Sequence, residues 1–136
     1  MDARRQVRKL FRASEQRLKA AACLLENGFH LESIYLAGYA VECALKGLIL
    51  KRTPRNKYAE SWRELTEVGA KGHNLEYLKS LLRIRNCLMN AETVESFNRV
   101  ALWSTQLRYE VQMKEYNEAA RFLQAAKELS DWCRGK

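Results

Sequence analysis

The stretch Leu31–Lys51, LESIYLAGYAVECALKGLILK, decides the fold. It is the longest apolar run in the chain and contains no proline. Ile34, Val41, Leu45, Leu48 and Ile49 cover one broad side at helical spacing. Leu36, Ala40, Cys43, Ala44, Gly47 and Leu50 cover much of the rest. A helix that is apolar nearly all round is a buried, central one. Its length also suits a membrane span, but Glu32, Glu42 and Lys46 interrupt it. Each such charge costs ~2.5 kcal/mol or more at a bilayer centre. The reading is therefore the core helix of a soluble bundle, with no membrane partner.

One narrow seam of this helix is polar. Tyr35, Tyr39, Glu42 and Lys46 stand at i, i+4, i+7 and i+11 and so share a face. Glu42 precedes Lys46 by four residues, the favourable order for a helical ion pair. Two readings stand side by side. The seam is a half-exposed face with a surface pair worth ~0.5 kcal/mol, or it faces another helix and Glu42 receives an arginine from elsewhere.

Outward from this helix, a chain of 136 residues fits one domain, 1–136. Only one proline, Pro54, and six glycines punctuate it, so long helices are expected. Residues 2–27 read as a first amphipathic helix on Val7, Leu10, Phe11, Leu18, Ala21, Ala22 and Leu25. Asn27-Gly28 ends it, and the short connection returns the next helix antiparallel. Residues 52–73 are the least regular part, with a short helix from Tyr58 to Val68 inside an excursion expected to be mobile or variable. Asn74 is a good N-cap for a helix carrying Leu75, Leu78, Leu81 and Leu82 and reaching Arg85 or Leu88. A fourth helix starts at Thr93 and reaches Arg108-Tyr109-Glu110. A last one covers 115–133. The fold class is all-α, an antiparallel bundle of four to five helices.

The net charge is +8, which favours an acidic partner, RNA or DNA first. Arg4, Arg5, Arg8, Lys9, Arg12, Arg17 and Lys19 crowd the first segment, with Arg4, Arg5, Arg8 and Arg12 as its basic patch. A solvated face that serves solubility gives the same pattern. The cysteines, Cys23, Cys43, Cys87 and Cys133, make no CxxC pair, and His30 and His73 lie in separate segments, so neither a metal site nor a cofactor is expected. The basic N-terminus lacks an apolar leader segment, and a reducing, cytoplasmic setting is the default.

Three motifs, in order, carry a resemblance. YLAGYAVECALKGLI at Tyr35–Ile49, GHNLEYL at Gly72–Leu78 and WSTQLRY at Trp103–Tyr109 resemble the corresponding segments of a bacterial branch of the HEPN (higher eukaryotes and prokaryotes nucleotide-binding) domain. The resemblance covers nearly the whole chain. It implies a helical bundle, often dimeric, commonly paired with a small nucleotidyltransferase in toxin–antitoxin or phage-defence modules. It also implies a function: many HEPN proteins are metal-independent ribonucleases whose motif is an arginine followed, after four to six residues, by a histidine. Arginine holds a phosphate bidentately and histidine moves a proton near neutral pH.

This chain departs from that pattern. Before His73 the required positions hold Thr66, Glu67 and Val68; before His30 they hold Cys23, Leu24 and Leu25. The nearest remnant, Arg85-Asn86-Cys87-Leu88-Met89-Asn90, has Asn90 where the histidine would stand, and asparagine does not titrate near neutral pH. Helix-end and turn chemistry is its other reading. The catalytic role therefore stays open between Arg108 with Tyr109 and, more weakly, Arg85, Asn86 and Asn90. The binding set is Tyr39, Glu42, Lys46, Trp103, Arg108 and Tyr109, with Arg108 expected to pair with Glu42 and Tyr109 a conceivable acceptor of nucleotide modification. The functional expectation is a degenerate HEPN module that binds RNA, a nucleotide or a partner protein. A ribonuclease with a departed motif and a dimerisation scaffold are the alternatives.

Overall fold

The structure, a computed structural model, describes residues 3–66, 73–102 and 115–136. Among these stand α1 (Ala3–Glu26), α2 (His30–Lys51), a 3-10 turn (Arg55–Lys57), α3 (Tyr58–Thr66), α4 (Leu75–Ile84), α5 (Ala91–Leu102) and α6 (Tyr116–Gly135). That makes six α-helices among the described residues, one more than the four to five expected, with α3 the shortest at nine residues; the all-α bundle expected from the sequence is what the chain forms.

The apolar circumference of α2 makes it the axis. Fourteen of its 22 residues are buried, and α1, α3, α4 and α6 all pack on it, with α5 covering α6. By length and composition α2 suffices to cross a membrane, yet 78% of its most apolar window is buried inside the fold, as in a core helix. Two small residues set how close α1 comes. A Cβ added at Gly47 would sit 2.8 Å from the Phe11 ring, and the buried Ser33 hydroxyl donates to the Ala21 carbonyl at 2.7 Å. The hairpin turn is a Schellman cap: the amides of Gly28 and Phe29 donate to the carbonyls of Leu25 and Leu24. Gly28 takes φ +85°, which only glycine adopts without strain.

Two local readings are corrected and a third is narrowed. Residues 52–66 are more regular than their composition suggests, because Tyr58, Ser61 and Leu65 of α3 are buried and the Tyr58 hydroxyl donates to the Ala3 carbonyl at 3.2 Å. The fourth long helix begins at Ala91, not at Thr93: the Asn90 side chain accepts from the Thr93 amide at 2.8 Å, so Asn90 is the cap and Thr93 already lies in the first turn. The third ends at Ile84 with Arg85 as its C-cap, the nearer of the two expected ends. The amides of Asn86 and Cys87 turn back to Arg83 and Leu82, with Asn86 in the left-handed region at φ +59°.

Candidate functional site

The seam of α2 becomes a charged centre inside the bundle. Glu42 and Lys46 are only 7% and 8% exposed, which overturns the half-exposed reading for this pair. Lys46 Nζ reaches Glu42 Oε2 at 3.1 Å. His73, in the short turn before α4, places Nδ1 3.1 Å from each oxygen of the same carboxylate. The expected arginine partner, Arg108, and with it Trp103 and Tyr109, lies outside the described residues.

The geometry fixes much of the chemistry. A carboxylate only accepts, so Nδ1 donates and Nε2 is the ring nitrogen left for other chemistry. The His73 side chain is 47% exposed, so it links the buried pair to solvent. A buried carboxylate is tolerated when donors compensate it, and here one ammonium and one imidazole approach it. Tyr39, one turn before Glu42 on the same seam, is exposed and Tyr35 partly buried. Sequence reasoning missed His73 as a partner of Glu42, since it weighed histidines as metal ligands and for an arginine upstream, not as partners of a distant carboxylate. The signal was present in GHNLEYL, where a histidine directly precedes the α4 cap.

The Arg85–Asn90 remnant serves backbone and packing. Arg85 spends three of its five N–H donors: Nε on Thr53 Oγ1 at 3.1 Å, one terminal nitrogen on the Leu81 carbonyl at 2.9 Å and the other on Ser61 Oγ at 3.2 Å. It thereby ties the end of α2 to α3 and α4. Asn86 supplies the left-handed residue and Asn90 the α5 cap. Beside them the Tyr77 hydroxyl donates to Glu64, joining α3 to α4, and this hydrogen bond holds the phenol on, pushing it up to about 12.

Elsewhere, α1 presents Arg4, Arg5, Arg8, Lys9, Arg12 and Lys19 as exposed side chains. Its inward face meets α2 through Gly47 and Ser33 rather than through Glu42. A cleft of about 810 Å³ lies between α5 and α6, but Glu92, Glu95, Glu128 and Asp131 line it along with Arg99 and Arg121, a balance that disfavours a polyanion. Burial pushes the Cys43 and Cys133 thiols up, away from an activated nucleophile. No group of metal-ligating side chains assembles among the described residues.

Neither a curated protein nor a solved structure matches the chain. The family model described as the HEPN domain does, over residues 7–136. With α2 as its core and the Glu42 centre built upon it, the chain belongs to the HEPN domain family.

Proposed function

We propose that this chain is an RNA- or nucleotide-binding HEPN module that works without the arginine–histidine ribonuclease motif. The observation that carries the reading is the outer face of α1. At 100° per residue, positions 4, 5, 8, 9, 12 and 19 fall within less than half the circumference, and all six are exposed cations. Glu15 is the one acid among them. Such a row follows a phosphate backbone by charge rather than by sequence.

The test is binding of a fluorescent single-stranded RNA in chelator across a salt series. Affinity falls with salt, with a slope of about 0.7 per phosphate contact. Arg8→Glu with Arg12→Glu weakens binding and flattens the slope. Salt-insensitive binding, or none, sinks the reading and leaves a dimerisation scaffold.

A second reading has its own observation. The His73–Glu42 contact resembles the carboxylate-oriented imidazole that enzymes use for proton transfer. It favours residual ribonuclease activity, and cleavage in chelator abolished by His73→Ala or by Arg108→Ala would establish it. On either reading we place the chain in a toxin–antitoxin or phage-defence system, as a homodimer beside a cognate nucleotidyltransferase. Co-purification of the two proteins tests that placement.

A further inference from the structure

We propose that the α4–α5 turn is a docking site for an acidic, amphipathic segment of a partner protein. Ile84 and Leu88 are 73% and 68% exposed, the two most exposed large apolar side chains among the described residues. Single exposed apolar residues are ordinary on any surface. Two of them four residues apart at one turn, with Leu88 also walling a cleft, are a different matter.

The cleft has a volume of about 190 Å³ and is walled by Leu82, Leu88, Met89 and Val94, with Lys79 and Arg83 at its edge. That is room for one large apolar side chain. Lys79 also lies 4.8 Å from the ring centroid of Phe97, a cation–π contact between α4 and α5.

The turn is preorganised. Asn86 and Cys87 close the end of α4 through the carbonyls of Arg83 and Leu82, and Asn90 caps α5. A rigid site spends little of its binding energy on ordering itself.

Charge selects the occupant. Lys79 and Arg83 flank the apolar surface and no carboxylate lines the cleft, so an incoming segment gains from Asp or Glu beside its apolar anchor. A second copy of this chain is a poor occupant. Two-fold self-contact through this turn brings like charges together, and each copy already carries +8. RNA gains from the cations but nothing from Ile84 or Leu88. This site is separate from the cationic face of α1, and it does not depend on the nucleic-acid reading.

A random peptide library displayed on phage is selected on the full chain and counter-selected on Ile84→Ser with Leu88→Ser. Both side chains point mostly into solvent, so the double variant keeps the helical signal and melting profile of the parent, and thermal scans verify this first. Enriched peptides are expected to carry a large apolar residue among Asp or Glu. Each is expected to lose at least tenfold in affinity on the double variant and severalfold on Arg83→Glu. The proposal is overturned if no enriched peptide depends on the turn, or if those that do are neutral or basic. It is equally overturned if sedimentation shows the parent dimerising through this face while the double variant is monomeric, or if the double variant loses RNA affinity with no peptide effect.

Discussion

Glu42 and Arg85 are both charged groups drawn into the bundle, and the fold treats them in opposite ways. Glu42 collects charged or titratable partners, Lys46 from its own helix and His73 from the start of α4. Arg85 collects neutral acceptors, two hydroxyls and a carbonyl, from α3, α4 and the turn after α2. Neutral acceptors in a fixed fork hold elements together and occupy the donors a phosphate would need. A carboxylate shared between an ammonium and a half-exposed imidazole keeps a proton-bearing group in contact with solvent. The difference separates a structural charge from a candidate functional one, although the family motif would have drawn attention to the arginine first.

The largest expected effect breaks the Glu42 side of this comparison. Glu42→Gln leaves the Lys46 ammonium buried with no carboxylate, and loss of one partner of a buried pair costs about 3 kcal/mol or more. Urea unfolding should register this as a lower midpoint at unchanged slope. Replacing Glu42 and Lys46 together by leucine is expected to recover most of the loss, because the pair then leaves no orphaned charge. If the double replacement is as unstable as Glu42→Gln, the pair is not the source of the cost.

Arg85→Met comes next. It keeps the apolar stem but forfeits three hydrogen bonds, an expected cost of about 2 kcal/mol. RNA affinity should be unchanged in the same preparation. A loss of affinity without loss of stability would move Arg85 to the functional side.

The two halves of the comparison were unequally legible in the sequence. The bundle was readable because α2 is apolar on most of its surface, and Asn27-Gly28, Pro54 and Asn74 mark ends by local chemistry alone. The burial of Glu42 and Lys46 was not, since an acid–base pair at i and i+4 looks the same on a solvated face as under a covering helix. Only long-range packing decides between them. His73 was hidden for a related reason: 31 residues separate it from Glu42, and no periodicity links them. The Arg85–Asn90 segment carried two messages in one string, and its turn chemistry is the one visible in the backbone. The pairing expected for Arg108 falls outside the described residues.

A smaller effect sharpens the reading of that turn. Asn90→Ala removes the cap of α5 and is expected to cost about 1 kcal/mol, measurable by thermal unfolding, with any ribonuclease activity unaltered. Glycine in its place should recover most of that loss, since glycine is itself a fair cap.

Tyr77 gives a pH-dependent link in the same neighbourhood. Its phenol is raised to about 12 by donation to Glu64. In the unfolded chain the group titrates near 10. A raised folded value means the contribution is fully present below pH ~10 and lost as pH rises toward 12. Absorbance titration should show one late tyrosine that disappears in Tyr77→Phe, and the variant should lack this part of the alkaline decline in stability.

The smallest expected change in stability falls on His73, and it is the most informative. The imidazole is about half exposed, so its contact with Glu42 is worth about 0.5 kcal/mol, in the range of surface pairs. His73→Gln keeps a donor near the carboxylate and should leave unfolding nearly unchanged, but it removes the group that exchanges protons. A latch between α2 and α4 survives that substitution, whereas a proton-transfer residue does not. Nitrogen chemical shifts of the ring in the parent protein give the complementary readout: Nδ1 protonated and Nε2 bearing the lone pair. If Nε2 carries the proton throughout while Nδ1 stays bare, Glu42 is not accepting from it, and the two sides of the comparison collapse into one structural role.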